Sequence, residues 1–265
     1  MAGVLATAFR DGLRAVRGSG WRAPLLAVLS YLPLVALGPL LGGGLLPVGL
    51  VLHVVVLVAL VRALGAARPE PLAAPPEVDE QGRRVQPPPR PGPPLTAADR
   101  APFVALRNAF RLLRASVSIT GLYLLAGVTA GLTVVALSGG GYAGYSDTVR
   151  TLTVLPLSAA FTAFVVLATQ RVGLEGDPRV LVAAAHSVRI ARTAYPALLL
   201  VAIAEPAVAV GGTLLVPGEH PPAGRVVAVG LATLVVATVV KVVVTAFANE
   251  LYAAGPRLDL PLDPG

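Results

Sequence analysis

Six long apolar blocks, separated by short polar and basic stretches, set the pattern of this chain. They fall at Pro24–Leu41, Leu45–Leu64, Val117–Leu137, Thr151–Val172, Thr193–Val216 and Val226–Ala248, with lengths of 18, 20, 21, 22, 24 and 23 residues. At ~1.5 Å rise per residue they cover roughly 27–36 Å, enough for a hydrocarbon core of about 30 Å. Lipid offers backbone groups no partner, so such segments must be helical. The pattern predicts an all-α, polytopic membrane bundle of six transmembrane helices. The first block does not read as a cleavable signal: it has no small-residue cleavage site before the next span opens at Leu45.

Three basic segments precede the odd-numbered spans: Leu13-Arg14-Ala15-Val16-Arg17, Phe110-Arg111-Leu112-Leu113-Arg114 and Val188-Arg189-Ile190-Ala191-Arg192. Each is an apolar residue followed by Arg-x-x-Arg, and each closes a stretch of helical spacing. Leu5, Phe9, Leu13 and Val16 share one face; Phe103, Leu106, Phe110 and Leu113 share a second; Leu181, Ala185, Val188 and Arg192 form a weaker third. The expectation is three interfacial amphipathic helices, each leading into a helical hairpin. Arg14, Arg17, Arg111, Arg114, Arg189 and Arg192 would then reach lipid phosphates. Two readings stay open: an internal threefold repeat, or arginine recurring only because basic residues collect on the cytoplasmic side.

Arginine also orients the spans. Counting Arg62 and Arg171 at the inner ends of spans two and four, eighteen arginines fall in the leader, the segments after those spans, and the tail; only Arg150 and Arg225 fall on the other side. That bias places both termini in the cytoplasm of a multi-pass cell-membrane protein. The outer loops are Gly42–Gly44, Ser138–Arg150 and Pro217–Arg225.

Composition agrees. Of 265 residues 55% are hydrophobic and 13% charged, and the mean hydropathy is +0.76. A soluble domain carries about a quarter charged residues, so a soluble enzyme is excluded. With no cysteine, disulfides, thiolate catalysis and zinc–thiolate sites are excluded as well. The net charge of +7 does not point to nucleic acid, because the basic residues lie between apolar blocks rather than along a soluble face.

The chain divides into four parts: 1–64 with spans one and two, a linker at 65–100, 101–252 with spans three to six, and a tail at 253–265. The linker holds ten of the 25 prolines, balanced charges and almost no aliphatic residues. It is expected to be disordered, either a plain tether or a polyproline docking segment.

Candidate chemistry is sparse. Glu205 is the one acid inside a span, roughly 18 Å from Thr193 and followed by Pro206. An acid at that depth is a proton relay, ion ligand or substrate contact by default, or a protonated side chain bonded to a neighbouring helix. Protonated is the expected state. His53 lies at similar depth, either bonded across a helix interface or paired with Glu205. Lys241, seven residues from the expected inner end of span six, is expected to snorkel to the cytoplasmic surface rather than pair with Glu205. Gly127 and Gly131 form a G-x-x-x-G that should mark close helix packing. Gly139–Gly144 matches G-x-G-x-x-G but follows a membrane helix, not a strand, and carries no dinucleotide site. His53, His186 and His220 are split between membrane, inside and outside, so no histidine metal site is expected. Neither a catalytic motif nor a cofactor motif is found.

Asn108-Ala109-Phe110-Arg111-Leu112-Leu113-Arg114, Ala184-Ala185-His186-Ser187-Val188-Arg189 and the closing Ala246-Phe247-Ala248-Asn249-Glu250-Leu251-Tyr252 carry a resemblance. In these the chain resembles prokaryotic six-helix integral membrane proteins similar to the membrane domain found beside some glycerophosphodiester phosphodiesterases. The resemblance implies architecture only, because the soluble phosphodiesterase barrel has no counterpart here. The expected function is a non-enzymatic membrane protein of structural or accessory type, in contact with lipids and with a membrane-protein partner or a second copy. The alternative is a small transporter or channel component using Glu205 and His53. Reporter fusions at either terminus should be active only in the cytoplasm, and one at Gly140 only outside; external labelling of the N-terminus would overturn this topology.

Overall fold

The computed structural model describes residues 2–40, 46–68, 77–78, 84–85, 92–137, 147–216 and 222–258. Among the described residues nine α-helices run in order: α1 (Ala2–Ser19), α2 (Arg22–Leu40), α3 (Leu46–Ala66), α4 (Pro102–Phe110), α5 (Leu113–Leu137), α6 (Asp147–Thr162), α7 (Leu167–Glu175), α8 (Val180–Leu214) and α9 (Ala223–Leu258). The fold is helical apart from a two-residue antiparallel ribbon, Glu77–Val78 against Arg84–Val85. Among the described residues four helices are long and apolar enough to cross a membrane, and a fifth if α6 and α7, bent by 43°, count as one broken span. Arg22–Leu34 of α2 is apolar but shorter. This content points to a membrane location.

The helices form three hairpins, α2–α3, α5 with α6–α7, and α8–α9, each headed by a basic segment. In the third unit that segment is continuous with the span, but Ala194 is non-helical (φ −115°, ψ 22°) and divides α8 in two. The units close into a ring. The basic segment α4 packs on α3 of the unit before it, the start of α8 packs on α7, and α1 packs on α9 at the far end of the chain.

Burial recurs with the Arg-x-x-Arg register. Ala8, Ala105 and Ala183 are buried at one corresponding position, Gly12, Ala109 and Ser187 at the next, then Ala15, Leu112 and Ile190, then Ser19, Ser116 and Ala194. Positions spaced 4, 3 and 4 residues apart make one helical stripe. The same buried register, filled by small residues at every position but Leu112 and Ile190, favours the repeat over chance. Gly12 shows why the stripe is small: a Cβ there would lie 3.1 Å from the Phe247 backbone nitrogen.

The apolar faces read from the spacing are not the faces that meet the bundle. Phe9, Phe103, Phe110 and Leu181 are exposed. Small residues touch the bundle, and the bulky apolar ones share the outer side with Arg14, Arg17, Arg111, Arg114, Arg189 and Arg192, all exposed. Gly127 and Gly131 are corrected too: a Cβ at either meets nothing within 4 Å, so they make no close packing inside this chain. The close crossing is at Gly173 of α7, where a Cβ would come within 2.5 Å of Val61 on α3.

The linker is not uniform. Its start continues α3 to Ala66, and its end, from Gly92, packs on the basic end of the bundle and forms a 3₁₀ turn at Ala97–Arg100. The ribbon apart, 69–91 lies outside the described residues, as do the expected loop Gly42–Gly44, the glycine run 139–144 and His220. The tail is also corrected in part, since α9 continues to Leu258.

Arg62, fully buried, fastens that packed end. Its Nε donates to Asp99 Oδ1 at 2.8 Å and its Nη2 to Asp99 Oδ2 at 3.1 Å and Pro94 O at 2.7 Å. Its Nη1 donates to Pro93 O at 3.1 Å and Gly173 O at 3.0 Å. Asp99 also accepts from Asn108 and from the Thr96 backbone and hydroxyl. Burial alone would raise the Asp99 carboxyl, but the bonds from Arg62, Asn108 and Thr96, with the Arg62 charge, outweigh it and hold the carboxyl below its ordinary 3.8. The stabilisation from a depressed carboxylate is complete above the unfolded value and is lost as pH falls through the folded one. Melts in detergent followed by circular dichroism should therefore show this contribution fading below about pH 4. Asp99→Ala, which strands a buried guanidinium, should cost about 3–5 kcal/mol near neutral pH. An unchanged melt would show that the ion pair is dispensable.

Candidate functional site: an ion pair inside the bundle

The three polar residues singled out within the spans meet in one place. Lys241 on α9 is 1% exposed, and its Nζ lies 2.9 Å from Glu205 Oε1 on α8. It donates to Ser30 Oγ on α2 at 2.8 Å and stands 3.8 Å above the Tyr31 ring. An ammonium has three donors and no acceptor; the carboxylate, the hydroxyl and the ring face occupy all three directions. Ser30 can accept because its own hydroxyl proton goes to Ala27 O at 2.7 Å.

His53 on α3 completes the cluster without touching Glu205 directly. Its Nδ1 lies 2.7 Å from Ser30 O. A carbonyl only accepts, so Nδ1 carries the hydrogen and Nε2 of the neutral ring is the acceptor. The His53 and Tyr31 rings lie 6.3 Å apart, and the Tyr31 hydroxyl donates to Ala237 O at 3.3 Å. Helices α2, α3, α8 and α9 thus contribute polar groups to one region of an apolar bundle. Apart from it, the Tyr123 hydroxyl on α5 bonds Thr169 on α7 at 2.7 Å.

Sequence helps explain the placement. Ser30 and Glu205 occupy corresponding positions in the first spans of units one and three, counted from their Arg-x-x-Arg pairs, and both turn to Lys241. Glu205 precedes Pro206, which cannot donate a helix bond. The Glu205 side chain is 30% exposed, so one side of the pair opens outward while the ammonium is sealed.

Two expectations are corrected. Lys241 does not snorkel, because its partners lie inside. Glu205 is not the isolated acid of that expectation, since the Lys241 Nζ lies 2.9 Å from its Oε1. His53 bonds a backbone carbonyl, the bland alternative for a histidine within a span. Ser30, Tyr31, Tyr123 and Thr169 were missed; Ser30-Tyr31 as the one polar pair in span one was the available signal.

A second charge cluster lies at the basic end. Asp177, almost fully buried, binds Arg171 at 3.2 Å and Arg179 at 2.9 Å, and Tyr252 donates to Glu175. Burial raises the Asp177 carboxyl, but the hydrogen bonds and charge of Arg179, with the charge of Arg171, hold it below its ordinary value. Arg171–Asp177 parallels Arg62–Asp99: in each an arginine near the end of a hairpin's second arm meets an aspartate 12 residues before the next basic pair. Among the described residues no three His, Asp or Glu side chains converge to hold a metal ion. No family model, curated protein or solved structure matches the chain.

Glu205→Gln should destabilise the protein by about 3 kcal/mol or more, because it leaves a sealed ammonium without its anion. Lys241→Met should cost less, since Glu205 can turn to its open side. The double variant should lose less than the sum of the two, the signature of direct coupling. Additive losses in denaturant melts would show that the pair is not coupled.

Proposed function

We propose that the protein is a six-span integral membrane protein of the cell membrane with both termini in the cytoplasm, and that its role is structural or accessory rather than enzymatic. The observation that carries this reading is the closed state of its intramembrane polar groups. Lys241 is saturated by Glu205, Ser30 and Tyr31, and His53 is bonded to a helix carbonyl. An embedded enzyme needs several convergent groups free to meet a substrate, and these groups are spent on holding α2, α3, α8 and α9 together.

The six spans take α2 as the first despite its short apolar stretch, and α6–α7 as one broken crossing. The amphipathic role of the basic segments is supported by their exposed aromatics and arginines, which suit an interface between water and lipid. The arginine bias supports the orientation. The resemblance to the membrane domain found beside glycerophosphodiester phosphodiesterases is carried forward as architecture alone. Lipids, a membrane-protein partner and a second copy are the proposed contacts; nucleic acid is not.

One observation favours a second reading, a small transporter or channel component. The Glu205 side chain is 30% exposed and so is open on one side. Vesicles containing the purified protein and a pH-sensitive dye distinguish the two. Under the accessory reading an imposed gradient collapses no faster than in empty vesicles, with or without Glu205→Gln. A gradient-driven flux that Glu205→Gln abolishes would replace the accessory role with transport.

A further inference from the structure

An apolar groove of about 530 Å³ runs along the seam where the ring closes, between α1, α8 and α9. Pro196, Ala197 and Val201 of α8 line one wall, Val244 and Phe247 of α9 the other, and Ala6 of α1 lies at its lip. The size falls within the range of about 300–1,000 Å³ of small-ligand sites. Its place in the fold matters more. The groove begins just past Ala194, the break where α8 changes from its basic segment to its apolar span.

On the other side of that break stand Arg189 and Arg192, both exposed. Among the described residues Arg192 makes no ion pair or hydrogen bond. Arg10, also exposed, lies one turn along α1 from Ala6, with Asp11 at 3.8 Å. The site is therefore apolar below the break and basic above it. That arrangement suits an amphiphile with a long hydrocarbon chain and an anionic head. A second copy of this chain would bring the same arginines to the same rim and be repelled.

We propose that this groove binds one acyl chain of an anionic glycerophospholipid, with its phosphate held by Arg189 and Arg192. Arginine suits the task because its planar fork can give a phosphate two parallel hydrogen bonds. The bound lipid bridges α1 to α8 and α9, where the first and last helices of the chain meet.

The test uses full-length protein in vesicles of phosphatidylcholine with a minor share of phosphatidylglycerol, re-extracted in mild detergent, with retained lipid counted by native mass spectrometry. The wild type should retain phosphatidylglycerol several-fold above its share. Arg189→Gln with Arg192→Gln should keep lipid but lose the preference. Ala197→Phe should lose both lipids, and Ala6→Phe, at an exposed position, makes the same test without burdening the core. Circular dichroism in the same detergent confirms that each variant is folded. Retention at bulk composition by the wild type, an undiminished preference in the double arginine variant, or full retention in folded Ala6→Phe would each overturn the proposal. The assay does not depend on which way the chain crosses the membrane, so its failure leaves the proposed topology untouched.

Discussion

A fully buried guanidinium is tolerable only when every N–H finds an acceptor, and Arg62 meets that constraint completely. Its five donors reach two carboxylate oxygens and three backbone carbonyls. Those acceptors come from the turn before α4, from the Pro93-Pro94 strap and from α7, so one side chain ties all three to the end of α3. Each partner depends on a local choice. Gly173 allows α7 close enough for its carbonyl to reach, and the prolines offer carbonyls with no competing N–H. The Thr96–Asp99 capping box presents the carboxylate from a 3₁₀ turn. Removing any acceptor leaves a desolvated donor, which costs more than the lost bond is worth.

The ring gives this clasp its meaning. Each basic segment lies on the second arm of the preceding hairpin, and at two seams an Arg–Asp pair fastens the junction. At the third seam Asn249 stands in the register of Arg171, each 60 residues past the first arginine of its unit's basic pair, and its amide donates to Val61 O. The position of the aspartate there falls at Ala2. Closure at that seam rests on packing instead, through Gly12 against α9 and Phe9 edge-on to Phe247 at 6.0 Å.

Much of this architecture was legible. Apolar block length identified the helices, and Arg-x-x-Arg marked three equivalent segments. Side-chain direction was less legible. Period-3.6 counting groups Phe9, Phe103 and Leu181 with their apolar neighbours on interfacial faces but does not say which residues touch the bundle. Beside lipid both faces are apolar environments, and the bundle selects the small residues that permit close approach. Lys241 was misjudged for a related reason. Span six was ended at Ala248, where Asn249 and Glu250 interrupt the hydropathy, yet both are buried in protein and α9 runs on to Leu258. From that end Lys241 lies roughly 25 Å along the helix, too far for a lysine stem to span. Arg62 was passed over as one more positive-inside residue, because hydropathy cannot separate an arginine facing lipid phosphate from one facing an aspartate 37 positions away.

The two Arg–Asp seams differ in a way that loop entropy explains. Arg171 and Asp177 are six residues apart, whereas Arg62 and Asp99 are separated by 37. Closing the longer connection costs about 1.6 kcal/mol more, taking the cost to grow as (3/2)RT ln n. The short seam manages with a pair at 3.2 Å whose arginine is 16% exposed. The long seam carries the pair with both side chains fully buried, bidentate, and backed by Asn108 and Thr96. A charge-assisted bond contributes about 1.5–3 kcal/mol, so the one or two extra bonds at Arg62 offset the added entropy. An insertion of prolines and balanced charges can therefore sit in the ring without opening it. The condition is that its last residues carry the acceptors that Arg62 requires.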